Sequence, residues 1–443
     1  MAEPEYWGTD DGPPELDGVG AVSVVDALDD GERWAETAAE VSRQLRRYAH
    51  TLTDDSVVWL APVATVAGGR PVLLGPHLYD GSCGVALFLA AHHRVSGAAA
   101  DREVALAAVL PLRRKLRQLC ADPERSAALR LGVGGLVGVG SFVYALAHLA
   151  VWLDDAELLA DAAACLPLFD AARIAADERF DVMSGCAGGV LALLALERLA
   201  ALAGEAATAE AALVAATACA ARLLDARVSW RGGPRAWPGP EGRPPLSGFA
   251  HGAAGIAYAL LRLYQRSGAD AHRRAAVEAL AFERNLYLPQ DDGWLDPRFD
   301  RPVEQSAWCH GTPGIALGRV GSLDVCDDDE TQEELERLLR STASLPMMRR
   351  DHLCCGNACR VEVLHAAALA LGRDELAAAA GRLAAAMLER AQASGGFVVE
   401  SPADSAAAAD LFSPSLFLGA AGVGYTFLRL AHPEALPCLL LME

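Results

Sequence analysis

The sequence predicts an all-α fold, an α/α toroid of seven helix-pair repeats and about fourteen helices. Three observations carry the prediction: a short glycine motif recurs along the whole chain, an apolar run follows each copy, and amphipathic stretches separate the copies. The copies are Gly81-Ser-Cys-Gly84, Gly138-Val-Gly-Ser141, Gly185-Cys-Ala-Gly188, Gly252-Ala-Ala-Gly255, Gly311-Thr-Pro-Gly314, Gly356-Asn-Ala-Cys359 and Gly419-Ala-Ala-Gly422. One such motif is a weak signal, but these seven lie 45 to 67 residues apart and five keep both glycines. Irregular spacing disfavours an open solenoid, and inner helices apolar nearly all round suit a closed double ring.

The elements follow in chain order. Residues 1–32 are acidic and carry Pro13 and Pro14, so they are expected to be a flexible lead-in to one domain over 33–443. Arg33–Leu52, Arg102–Cys120, Asp154–Leu166, Glu210–Leu224, His272–Phe282, Glu330–Leu339 and Asp374–Gln392 repeat apolar residues at helical spacing, with Arg and Glu opposite, and are the outer helices. Each glycine turn opens an inner helix, because glycine allows close backbone approach. Ser56–Leu60 and Pro71–Leu74 read as a short hairpin. Leu131–Leu153 is long and uncharged enough to be a membrane span, but its first half is crowded with glycines, so it is taken as a turn feeding a buried helix. Two long Pro/Gly-rich loops, Arg231–Gly248 and Pro289–Ser306, each precede a glycine motif. Both should overhang the same rim.

Composition excludes several functions. With 52% hydrophobic residues the chain is not disordered, and a net charge of −20 argues against nucleic acid. The acidic surface, with Lys115 as its single lysine, points either to a high-salt cytoplasm or to GC-rich coding. The first residues lack a basic start and an apolar core, so a cytoplasmic protein is expected. In a reducing compartment its 11 cysteines are thiols, either buried small hydrophobes or metal ligands. No phosphate loop, dinucleotide fingerprint or Gly-x-Ser-x-Gly elbow occurs.

The sharpest local feature is Leu353-Cys354-Cys355-Gly356, with Trp308-Cys309-His310-Gly311 one repeat earlier. Equivalent positions of neighbouring repeats are adjacent in a ring, so Cys309, Cys354 and Cys355 can converge. Three protein ligands and one open position describe a catalytic zinc site; His310, His352 and Cys359 are further candidates. On spacing alone buried core cysteines are the commoner case, because this is no CxxC…CxxC array. His251, just before Gly252, and Asp181, four residues before Gly185, could act as acid or base at the rim. On pattern alone a turn histidine and an N-cap aspartate are the commoner roles.

These residues resemble the lanthionine synthetase C-like cyclases, and most closely the cyclase domain of class II lanthipeptide synthetases. The resemblance rests on Leu78-Tyr-Asp-Gly-Ser-Cys-Gly84, Asp181-Val-Met-Ser-Gly-Cys-Ala-Gly188, Gly248-Phe-Ala-His-Gly-Ala-Ala-Gly255, Trp308-Cys-His-Gly-Thr-Pro-Gly314, Cys355-Gly-Asn357 and Leu416-Phe-Leu-Gly-Ala-Ala-Gly-Val-Gly-Tyr425, in the family's order from about residue 50 to 443. It implies a toroid with Zn2+ at the end of its central cavity, held by Cys309, Cys354 and Cys355. It also implies a reaction in which a peptide cysteine thiol adds to dehydroalanine or dehydrobutyrine, with His251 as acid/base and Asp181 assisting. The expected partners are a dehydrated precursor peptide and a separate dehydratase, with no nucleic acid and no membrane span.

The sequence departs from the common pattern in four ways. Cys355 stands where the usual motif has histidine, as in a three-thiolate subset of class II cyclases. Cys359 replaces a turn glycine. No arginine stands at Gln305, where many stand-alone cyclases have one. The dehydratase domain of the bifunctional enzymes has no counterpart in these residues, so the expectation is a separate dehydratase, or else an excised or degenerate domain. The alternative function is a non-catalytic cyclase-like protein that binds a thiol or peptide or regulates a partner. A helical-barrel glycosidase would need paired carboxylates, and only Asp181 offers itself.

Overall fold

The computed structural model describes residues 31–62, 71–122, 124, 131–290, 293–298, 301–302, 307–399 and 412–443. Nearly all of the lead-in, Gln305 and most of the segment around it lie outside the described residues.

Seven inner helices each begin at a glycine turn: α2 (Ser82–Ser96), α4 (Val139–Trp152), α7 (Cys186–Leu202), α9 (Ala253–Ser267), α11 (Thr312–Val320), α13 (Asn357–Leu371) and α15 (Ala420–Ala431). They are mostly buried all round, as their unbroken apolar runs require. The outer layer is α1 (Gly31–Arg47), α3 (Ala99–Cys120), α5 (Ala156–Ala163) with the short α6 (Ala171–Ala175), α8 (Ala206–Asp225), α10 (Asp270–Arg284), α12 (Asp329–Ser344) and α14 (Asp374–Ser394). Asp155, Asp170 and Asp328 cap α5, α6 and α12 by accepting free backbone N–H groups. Gly97, Gly268, Gly372 and Gly395 close α2, α9, α13 and α14 in the left-handed conformation.

Each inner helix packs on the next, and α15 packs on α2, so the layer is a closed ring. The expected repeat ran outer helix first, but the packing runs the other way. α3, α5, α8, α10, α12 and α14 each lie against the inner helix before them, while α1 lies against α15 at the far end of the chain. The first helix therefore completes the last pair and clasps the ring.

A second ring, of backbone hydrogen bonds, runs around the rim. Tyr79 donates to Leu136, Leu136 to Met183, Met183 to Ala250, Phe249 to Trp308, Trp308 to Cys354, Cys354 to Phe417 and Phe417 back to Tyr79, at 3.0–3.2 Å. It explains the second motif glycine. A Cβ at Gly188 would stand 1.9 Å from the Val182 carbonyl oxygen, and one at Gly255 2.0 Å from that of Phe249. Only a hydrogen fits there.

Residues 436–443 run into the bore. Trp308 Nε1 donates to the Leu440 carbonyl at 3.2 Å, Tyr425 Oη to Pro437 at 2.8 Å and Tyr144 Oη to Glu443 at 2.9 Å. Strands are few and short. β1 (His50–Thr51) pairs with β2 (Val57–Val58), and β3 (Leu60–Pro62) pairs with β4 (Pro71–Leu73), so the expected hairpin is present with a shifted first strand. β5 (Val228–Ser229) pairs with β6 (Arg235–Ala236). β7 (Tyr287–Leu288), β8 (Gly293–Asp296) and β9 (Arg301–Pro302) form a small meander. Both lie at the long loops before the fourth and fifth turns. The Leu131–Leu153 stretch is a glycine turn and the buried α4, as expected. Among the described residues one helix, α8, is long and apolar enough to cross a membrane, and here it packs on α7 in the outer layer.

Candidate metal centre and acid/base pair

The rim hydrogen bonds place four consecutive turns side by side, the third to the sixth. Their pre-glycine residues carry the proposed ligands and the acid/base candidates, while Cys359 lies past its glycine in α13. The Trp308–Cys354 bond sets Cys309 beside the Cys354-Cys355 pair. The three sulfurs lie within 4.8 Å of one another, and they form the one group of potential ligands found among the described residues. Cys309 and Cys354 are buried and Cys355 is half-buried, so the cluster is sealed on one side and open on the other.

The thiols act on one another. Cys355 is held well below the ordinary thiol value, first because it accepts hydrogen bonds from Cys309 and Cys354. Cys354 is pushed well above it, because it donates to Cys309 and Cys355 and is buried. Without a cation, ionising one sulfur opposes ionising the next. Tyr79 packs on Phe417, and its phenol is hydrogen-bonded to Cys354. Burial, and the negative charge developing on the cysteines, raise its pKa well above the usual phenol value.

The Met183–Ala250 bond brings Asp181 against His251. His251 Nδ1 lies 2.8 Å from Asp181 Oδ2. Oδ1 of the same carboxylate accepts the N–H groups of Ser184 at 2.7 Å and Gly185 at 3.1 Å. Asp181 thus serves as the turn residue and as the histidine's partner, one oxygen for each. The aspartate side chain is 8% exposed and the imidazole 29%, so the ring edge faces out of the protein.

His310 joins the two halves. It follows Cys309 directly, and its ring stacks on His251 with centroids 5.0 Å apart and planes 21° from parallel. Burial, and then the charges of His251 and Arg298, push its pKa well below the usual histidine value. The other candidates stand aside. His352 is buried and accepts the Cys355 N–H at 3.3 Å through Nδ1, a turn-holding role, with Nε2 3.9 Å from the Cys355 sulfur. Cys359 is fully buried at the first turn of α13, with its pKa raised by burial, and is outside the three-sulfur group. His92 pairs with Asp101 in the core, and His148 lies between the carbonyls of Tyr144 and Glu443.

The profile of the lanthionine synthetase C-like proteins matches residues 73–441. The chain belongs to that family. No curated protein sequence matches it. Among solved structures, nisin cyclase superposes with a TM-score of 0.60 at 14% identity, covering 83% of this chain and 92% of that one. The match establishes the shared toroid. An unsaturated glucuronyl hydrolase specific for heparin gives 0.42 at 14% identity, covering 71% and 84%. The GH76 α-mannanase BT2949 of Bacteroides thetaiotaomicron gives 0.46 at 7% identity, covering 93% and 99%.

In this lanthionine synthetase C-like protein two rim residues, Arg298 and Tyr79, sit at the site without having been singled out from the sequence. Tyr79 was legible in Leu78-Tyr-Asp-Gly as part of a motif, but not as a neighbour of the thiols. Arg298 lies in a long loop and carries no motif at all.

Proposed function

We propose that the chain is a zinc-dependent lanthipeptide cyclase acting in the cytoplasm on a dehydrated precursor peptide that a separate dehydratase supplies. The observation that supports it best is the convergence of three thiols within 4.8 Å beside a histidine–carboxylate pair. The donor set fits zinc. Ligands about 2.3 Å from one tetrahedral ion stand about 3.8 Å apart, inside the spread seen here. Cys309, Cys354 and Cys355 would hold the ion, and the ion would lower the pKa of an incoming peptide thiol. Three soft thiolate donors favour zinc over magnesium or calcium.

The protein's own groups do the rest. Asp181 accepts the Nδ1 proton of His251 and leaves Nε2 as the free base. Nε2 takes the proton of the peptide thiol. The sulfur then attacks the β-carbon of dehydroalanine or dehydrobutyrine, a C–S bond forms, and the π pair moves to an enolate. His251, now imidazolium, returns the proton to the α-carbon, so S–H has added across C=C and the protein is unchanged. The half-open rim admits a peptide, and the filled bore shields the thiols from the other side.

The test is metal analysis with a cyclisation assay, using a peptide with one cysteine and one dehydroalanine. The expected result is about one zinc per chain and loss of the free thiol without change of mass. Zinc-loaded protein that forms no thioether with any dehydrated peptide would instead mark a binding protein of the same fold.

A further inference from the structure

We infer that Arg298 is a positioning residue for the acid/base pair, acting through His310; this rests on the cyclase reading above. Arg298 sits in the turn after β8. Asp296 at the end of that strand holds its guanidinium through Nε at 3.0 Å and Nη2 at 2.7 Å. Its Nη1 lies 3.2 Å from Nε2 of His310. A guanidinium only donates, so Nε2 of His310 is the acceptor. With Nε2 accepting, the proton of a neutral ring stands on Nδ1, and the backbone of Ser247 lies against the same imidazole. Both edges of His310 are thereby fixed, and its face is the surface against which His251 stacks.

His251 is held from two sides. Asp181 fixes its Nδ1 edge, and the clamped face of His310 fixes its plane. An imidazole pinned at one atom can still swing about that bond; one pinned at an atom and a face cannot. Arg298 meets the site at His310, through the contact between its Nη1 and the imidazole Nε2. The series Asp296–Arg298–His310–His251–Asp181 carries a loop with no motif into the geometry of the proton transfer.

Two readouts on the zinc-loaded full chain test this. Imidazole 1H–15N spectra should show His310 as the Nδ1–H tautomer with Nε2 accepting, and Arg298→Ala should convert it to a mixture. With the model peptide, Arg298→Ala and His310→Phe should each slow kcat by about 10- to 100-fold. KM and zinc content should stay near wild type, the double variant should be no slower than either single one, and Arg298→Lys should recover part of the rate. An unchanged His310 tautomer in Arg298→Ala, or effects that multiply in the double variant, overturns the inference. If Arg298→Ala does not fold, Arg298→Lys and His310→Phe decide it by the same readouts. If the wild type binds no zinc or forms no thioether, the cyclase reading fails, and the tautomer spectra still decide the role of Arg298.

Discussion

Asp181→Asn is the substitution whose consequence the geometry fixes most tightly. The side chain keeps its shape, so the question is which way the amide points. Oδ1 accepts two backbone N–H groups, from Ser184 and Gly185. An amide NH2 placed there would face two donors, at about 1–3 kcal/mol for each lost bond. The amide oxygen therefore stays on the turn, and the NH2 takes the place of Oδ2, 2.8 Å from His251 Nδ1. His251 must then present a lone pair at Nδ1 and carry its proton on Nε2. That is the wrong tautomer for a base at Nε2. The expected loss is the contribution of a positioned acid/base group, about 10²–10⁴-fold in kcat. Zinc content and thermal stability should change little, because the turn keeps both its hydrogen bonds. The assay is the rate of thioether formation by mass spectrometry with free-thiol labelling. A variant that keeps more than about a tenth of the wild-type rate would refute the assignment of proton transfer to His251.

Three further outcomes follow from other parts of the molecule. Cys355→Ala removes the sulfur that ionises first and should leave zinc binding well below stoichiometric in metal analysis of the purified protein. Gly255→Ala puts a Cβ 2.0 Å from the Phe249 carbonyl oxygen; a loss of about 2–4 kcal/mol in chemical denaturation is expected, and a neutral result would mean that the turn opens freely. His365 is buried, its Nε2 has no hydrogen-bond partner among the described residues, and burial followed by Arg429 lowers its pKa to about 4. The unfolded histidine, near 6.5, binds more protons between those values, so stability falls as pH drops from 6.5 to 4, by about 3 kcal/mol. His365→Phe should flatten that part of the stability–pH curve, and an unchanged slope would assign it to other groups.

The repeat made both the ring and the site legible. Once seven turns are recognised, neighbouring turns must touch, and Cys309 meets Cys354 and Cys355 as Asp181 meets His251. What stayed hidden has physical causes. α1 reads like any other outer helix, and amphipathic spacing says which face is buried but not against which partner; its docking on α15 is a long-range closure. The last residues carry no motif and drew no expectation, yet Leu436 and Cys438 to Met442 are buried. Arg298 is placed by a small meander whose strands are two to four residues long, too short to leave a period. The fourth thiol, Cys359, is a further ligand candidate in the sequence. Its burial at the start of α13 keeps it out of the three-sulfur group.

A closed ring of backbone hydrogen bonds gives this site a property an open array would lack. Each of the seven bonded turns is held on both sides, so moving one pre-glycine segment strains two neighbours. Four consecutive segments carry the candidate ligands and the acid/base pair, and the others hold them in register. Trp308 ties the ring to the bore, donating to Leu440 through its indole while its own backbone bonds Phe249 and Cys354. The backbone that carries the thiols is thus held from the side and from below, and the proposed metal would need little further ordering of its ligands. On the cyclase reading the flexible element is the peptide, which would approach from the side where Cys355 and the imidazole of His251 are partly exposed. A rigid half-site would suit the proposed cyclase, because its groups need no reordering when a peptide arrives.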